Sequence, residues 1–263
     1  MLERVRKTRA AEHGSALDKA LLVLEEITQS AGSVALADLV LRIDLPRQTI
    51  HRILQQLVEA GLIMRAPRKD QYMVGPALTR LSVDALTSGC TQVPVRAALR
   101  PLVDATGETC NVGILDQDEV VYIERMDGHS PLRVQLQVGS RVPFHCTAIG
   151  KLLVANLHKN VRTRMLSAQP LHRFTGTTLT TAEALEEAFA QIRSDGFSFN
   201  NEEFVDGLTA VAVPVRDESG KVIAGVAVHA PSTRMDRAEA VSLLPTLREV
   251  AARISGIWAA SAQ

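Results

Sequence analysis

The 263-residue sequence predicts an α+β chain in two parts: an N-terminal winged helix-turn-helix unit and a C-terminal unit of sheet and helices, joined by a helix. Three observations carry this reading. Residues 33–75 hold two short amphipathic helix patterns, a tight connector and then a hairpin. Residues 77–89 read as one helix. From residue 96 onward, helical stretches alternate with strands, and at 263 residues the chain is long enough for two cores.

In the head, Ser15 and Asp18 are spaced to cap a first helix whose apolar positions are 17, 20, 21, 24 and 27. A second helix over Val34–Ile43 places apolar residues at 36, 39, 40 and 43, on one face. Asp44 and Leu45 form the connector. Pro46 opens a third helix, where its missing N–H is harmless because first-turn donors have no partner within the helix. That helix runs from Arg47 to Ala60 and is stopped by Gly61. Its apolar stripe is Ile50, Ile53, Leu54, Leu57 and Val58. Leu62–Arg65 and Gln71–Val74 read as strands around a turn at Ala66–Asp70.

The opposite face of the third helix holds Arg47, Gln48, His51, Arg52, Gln55 and Gln56, with no carboxylate before Glu59. Arg and Gln pair bidentately with guanine and adenine edges in the major groove, and a helix presenting them from its first two turns can dock as a recognition helix. Arg47, Gln48 and Arg52 are the expected base readers. Thr49, His51, Arg65, Arg68 and Lys69 are the expected phosphate or shape contacts. An amphipathic helix with a solvated polar face would look the same; the wing that follows favours the DNA reading. Bulk charge adds little, because residues 1–75 carry eleven Lys/Arg against nine Asp/Glu in a chain of zero net charge. Residues 1–14 form a basic arm with Arg4, Arg6, Lys7 and Arg9, either for the minor groove or as a solvated terminus.

The absence of an apolar signal core or a long apolar run predicts a cytoplasmic protein with no membrane partner. Cys90, Cys110 and Cys146 are widely spaced and odd in number, which suits reduced thiols. His145, Cys146 and His229 could be assembled into a metal site, but no ligand spacing supports it; no cofactor is expected. Residues 76–92 form the expected linker helix, with apolar positions 78, 81, 85 and 86 suited to self-association.

In the second part, residues 93–263, Arg96–Thr106 is helical with Pro101 as a kink or break, and Thr109–Leu115 pairs with Glu119–Glu124 as a hairpin. Leu132–Val138 alternates as a half-buried strand. Pro143 ends an extended segment, and a helix begins at Thr147 whose small residues let backbones approach closely. Thr180–Glu183 reads as a capping box for a helix with apolar positions 185, 188, 189 and 192, closed by Gly196. Leu208–Val215 and Val222–His229 are strands, and residues 236–260 one long terminal helix.

Leu45–Leu54, Gly139–Ala155, Ile192–Gly196 and Ala212–Gly220, in this order and spacing, resemble the IclR family of transcriptional regulators over nearly the whole chain. The resemblance implies a winged head, a linker helix and a GAF-like α/β effector domain, acting as a homodimer or homotetramer on a double-stranded DNA operator. It places a pocket for a small organic acid, aromatic ones included, among Phe144, His145, Cys146, Thr147, Ala148, Leu208, Ala210, Ala227 and His229. A free helix N-terminus at Thr147 suits a carboxylate. Ala227 and His229 stand where the family often has small hydroxyl residues. Lys151 is read as solvent-exposed or paired rather than ligand-binding. Two other readings stay open: a second domain that only oligomerises, and a hydrolase assembled from Ser140, His145 and Asp206, which lacks any nucleophile-elbow pattern.

Overall fold

A computed structural model of the chain describes residues 15–30, 32–67, 70–87, 89–129, 136–168 and 170–260. The expected arm at 1–14, the wing-tip cations Arg68 and Lys69, and residues 132–135 of the expected strand lie outside them. The chain divides between Ala85 and Leu86 into two compact units.

The first unit contains α1 (Ala16–Gln29), β1 (Val34–Ala35), α2 (Leu36–Arg42), α3 (Arg47–Glu59), β2 (Ile63–Arg65), β3 (Gln71–Val74) and the body of α4 (Pro76–Thr87). Its small sheet is antiparallel in the order β1-β3-β2. Ser15 and Asp18 make the expected reciprocal capping box, the Ser15 hydroxyl accepting from the Asp18 N–H at 3.2 Å and the Asp18 carboxylate accepting from the Ser15 N–H at 2.8 Å. The buried stripe of α1 is rotated from the expected one. Val23 and Ile27 are sealed in, whereas Leu17 and Leu21 are 66% and 47% exposed. The helix meets α3 and β3 along the 20–23–24–27 line, which a count of apolar residues alone does not single out from the 17–21 line.

Helix α3 matches its expected bounds. Pro46 is the N-cap, Ile50, Ile53, Leu54 and Leu57 are buried, and Gly61 takes the left-handed conformation (φ +70°) that ends the helix. Burying side chains of this size contributes roughly 1.5–3 kcal/mol each, which holds α3 rigidly on the head. Leu39 and Ile43 of the α2 segment join the same core.

The second unit contains α5 (Gly89–Thr106), β4 (Thr109–Asp116), β5 (Glu119–Met126), β6 (Arg141–Pro143), α6 (Ala148–Ala155), α7 (Lys159–Ala168), α8 (Ala182–Asp195), β7 (Ser198–Asn201), β8 (Leu208–Arg216), β9 (Val222–Pro231), α9 (Arg237–Ser242) and α10 (Leu244–Ala260). The six strands pair antiparallel throughout, in the order β6-β5-β4-β9-β8-β7. One face carries α5 and α10 over Val112, Val211, Val213, Val226 and Val228. The other carries α6 and α8 over Tyr122, Ala210, Ala212 and Ala227. Alternation along each strand therefore feeds two separate cores.

Several expectations are corrected. Helix α5 runs through Pro101 and Pro94 without a break. Leu136–Val138 is irregular rather than strand. Helix α8 is capped by the Thr181 hydroxyl, which accepts from the Ala184 N–H at 3.3 Å; starting one residue late, it leaves Glu183 too early to close a capping box. The terminal helix is two helices broken at Leu243. Pro245 lacks an N–H, and its ring would clash with the Val241 carbonyl in a continuous helix. The sequence reading did not anticipate α7 or β7, the latter a polar Ser-Phe-Asn-Asn strand.

Candidate DNA-contact helix and enclosed cavity

On α3, Arg47, Gln48, His51, Arg52, Gln55 and Gln56 are all exposed, and Thr49 is half-buried. The packed stripe faces inward and the amide and guanidinium groups face out from the first two turns. Arg65 at the end of β2 is also exposed. Seven of the named side chains thus share an open surface or its wing.

The second unit encloses a cavity of about 40 Å³ on the sheet face beneath α6. It is lined by polar groups from Glu108, Thr109, Tyr122, Arg125, Thr147, Asn200 and His229, with Leu136, Ala148, Phe204, Val205, Leu208 and Pro231. Register explains the gathering. Thr109, His229, Ala210 and Asn200 are cross-strand partners along one row of β4, β9, β8 and β7, so their side chains share a face.

A bulge in β5 adds the cation. Gly113 pairs with Tyr122 but Val112 pairs with Glu124, which leaves Ile123 without a partner. The extra residue resets the alternation, so Ile123 enters the α5 core while Tyr122 and Arg125 both reach the cavity. Arg125 is 8% exposed; its Nε donates to Asp127 at 2.9 Å and its Nη1 to Asn111 Oδ1 at 3.5 Å. Tyr122 sits edge-on to the His229 ring, 6.2 Å between centroids. Burial pushes the Tyr122 phenol up to about 12, so it remains a hydroxyl. Burial, with the Arg125 guanidinium second, holds His229 down at about 4, so the imidazole is neutral at pH 7. Its Nε2 is enclosed and has no hydrogen-bond partner among the described residues. Glu108 is clamped by Arg234 through two bonds of 2.6 and 3.0 Å.

Of the nine residues expected in the pocket, Thr147, Ala148, Leu208 and His229 line it. The other five do not. Phe144 is sealed in the α6 core, and Cys146, its thiol pushed up to about 12 by burial, is buried beside it. Ala210 and Ala227 lie under α6 in the sheet core. His145 Nε2 is bonded to the His172 carbonyl at 2.9 Å. Burial draws His145 down from the ordinary histidine range. Among the described residues His145, Cys146 and His229 form no metal-ligating cluster, and Ser140 and His145 are bonded elsewhere, Ser140 accepting from the Gln137 N–H.

The α6 N-terminus is open as expected, because the Thr147 hydroxyl donates to the Pro143 carbonyl at 2.8 Å and does not cap the helix. Only its first residues reach the cavity. Gly150 is pressed against the Phe144 backbone, where a Cβ would come within 2.3 Å of the carbonyl oxygen. Lys151 is paired, and it is buried rather than exposed: Nζ contacts Glu203 and donates to the Phe199 carbonyl at 3.2 Å. Sequence reasoning missed Tyr122, Arg125 and Asn200. No sequence signal marked them, because Asn200 lies in the unanticipated strand β7 and Arg125 reaches the cavity only through the bulge at Ile123.

The IclR helix-turn-helix domain pattern matches residues 16–67, and that of the bacterial transcriptional regulator IclR C-terminal region matches residues 92–256. The chain is 40% identical over 230 residues to SauR of Cupriavidus necator, described as a probable transcriptional regulator, covering 88% of this chain and 91% of SauR. Among solved structures it resembles an IclR homolog from Microbacterium hydrocarbonoxydans complexed with 4-hydroxybenzoate. That match is 26% identical with TM-score 0.56, covering 92% of this chain and 98% of that one. The inducer-binding domain of a PobR double mutant from Acinetobacter, in complex with 3-hydroxybenzoic acid, is 28% identical. Its TM-score is 0.57, and it covers 62% of this chain and 98% of that one. Winged head, six-stranded antiparallel sheet and both family patterns agree: the chain belongs to the IclR family of transcriptional regulators.

Proposed function

We propose that the protein reads a roughly palindromic operator as a homodimer or homotetramer, and that a small organic acid in the enclosed cavity sets its operator affinity. The observation that carries this is the cavity itself: one guanidinium, a phenol, a neutral imidazole and an open helix end converge there, while the Glu108 carboxylate is held by Arg234. Such a donor-rich site suits a carboxylate. The two hydroxybenzoate complexes among its structural relatives support the same chemical class.

For the head, Arg47, Gln48 and Arg52 read bases, while Thr49, His51, Arg65, Arg68 and Lys69 position the duplex. Residues 1–14 serve as an arm, 15–75 as the reading head, 76–92 as the linker and 93–263 as the effector domain. Gel retardation and footprinting on DNA flanking the gene test the head; protection on one face of the duplex is expected, and no retardation contradicts it. A thermal-shift panel of short-chain and hydroxybenzoic acids tests the cavity. An acid at 100 times its Kd adds about 2.7 kcal/mol, whereas silence across the panel favours a second domain that only oligomerises.

A further inference from the structure

The connector between β7 and β8 supplies part of the cavity wall without a ladder of its own. Asn200 of β7, then Phe204 and Val205 beyond it, line the cavity. Residues 202–207 are neither helix nor strand, and they turn through two left-handed positions, Glu202 at φ +59° and Gly207 at φ +74°. A side chain held in the left-handed region is strained, so its surroundings must over-determine the backbone there.

Glu203 supplies much of that restraint. Its N–H donates to Asn200 Oδ1 at 3.2 Å, and its carbonyl accepts from the Thr178 hydroxyl at 2.7 Å. Its Oε1 accepts from the Asn201 N–H at 3.4 Å and meets Lys151 Nζ. Lys151 also donates to the Phe199 carbonyl of β7 at 3.2 Å. It stands one turn beyond Thr147 on α6, its N–H donating to the Thr147 carbonyl at 3.0 Å. Thr147 and Ala148 line the cavity from that side. One ion pair therefore ties two walls together from behind, although neither partner is among the lining residues. A buried ion pair is a weak source of stability, because well-packed apolar side chains of similar volume often do as well or better. This one also leaves Glu203 Oε2 without a hydrogen-bond partner among the described residues.

Resting on the acid-binding reading, we propose that Lys151 and Glu203 are positioning residues of the effector site: their pair holds the 200–205 wall against α6 in its acid-binding shape before the acid arrives. A site whose supporting contacts are already in place loses no affinity to ordering its wall on binding.

The test uses Lys151→Met combined with Glu203→Gln in the full chain. That variant removes the tie while the summed charge of the pair stays zero, so a change in acid binding reports geometry and not field. It is compared with the unsubstituted protein by calorimetric titration with the acids of the thermal-shift panel, sodium acetate and sodium 4-hydroxybenzoate first, at a temperature where both proteins are folded. Acid binding should weaken about tenfold, the penalty of immobilising one or two side chains on binding. The NMR signals of the Val205 methyl groups supply a readout that a purely structural role does not move. They should be sharp in the ligand-free unsubstituted protein, broadened in the ligand-free variant, and sharp again once the variant is saturated with acid. If the double variant does not fold, Glu203→Asp keeps both charges, shortens the reach by one methylene and should show the same two changes. Equal Kd values, or weaker binding with Val205 signals unchanged from the unsubstituted protein, overturn the proposal and leave the acid-binding reading intact. If no acid of the panel binds the unsubstituted protein saturably, both fall.

Discussion

Lys151 and Glu203 set the stakes at the level of single residues. Both are nearly sealed, at 4% and 8% exposure, and Glu203 Oε2 has no hydrogen-bond partner among the described residues. Desolvation draws the Lys151 ammonium below its ordinary range, against the opposing pull of Glu203. Removing one partner of such a pair strands a buried charge, so Lys151→Met should cost about 3–5 kcal/mol in urea unfolding. Lys151→Met with Glu203→Gln should recover much of that; a double variant no better than the single one would show that the pair is not the cause. His229 makes the second residue-scale prediction. Its unfolded value is about 6.5 and its folded value about 4, so between them the unfolded chain holds a proton that the native chain does not. Stability therefore falls as pH drops from about 6.5 towards 4, by up to about 3 kcal/mol, and His229→Gln should lose that part of the slope. These buried polar groups were the least legible part of the sequence. A Lys after a Gly reads as surface, and an Arg one residue past an expected strand reads as its solvated end; only the bulge at Ile123 reveals where Arg125 points.

At the scale of elements, helix α3 was readable because proline, period and glycine all mark the same boundaries, and its tests concern single side chains. Arg52→Ala should cost about 1–3 kcal/mol of operator binding and relax one base position. Equal losses on every sequence, in competition assays against base-substituted duplexes, would make Arg52 a phosphate contact instead. Helix α6 was legible in extent but not in orientation. Its small residues do permit close approach, yet Gly150 spends that approach on the Phe144 backbone, not on the cavity. Gly150→Ala should therefore destabilise the second unit severely, since backbone, not a flexible side-chain tip, must give way. A near-native melting temperature for that variant would contradict the packing described. The short polar strand β7 escaped because it lacks the periodicity that marks an element by itself, whereas the break before Pro245 was marked by the proline and overlooked within a continuous apolar period.

For the whole molecule, the proposed function requires that acid binding in one unit change operator binding by the other. The head pattern and the motifs of the second unit were legible because they recur in order along the sequence, whereas the cavity depends on four strands falling into register. Coupling between two sites is a shared free energy, typically about 1–3 kcal/mol, so an acid that binds should change operator affinity by roughly 5–150-fold. Ala148 offers a clean control, because it lines the cavity and is buried against it, while the α3 face belongs to the other unit. The most direct measurement is fluorescence anisotropy of a labelled operator duplex at fixed salt. It is titrated with the unsubstituted protein and with Ala148→Leu, each with and without the acid giving the largest thermal shift. The account predicts a shift within that range for the unsubstituted protein, and for Ala148→Leu the same ligand-free operator affinity with no shift at all. A folded Ala148→Leu protein that binds its operator and still responds to the acid as the unsubstituted chain does would contradict it.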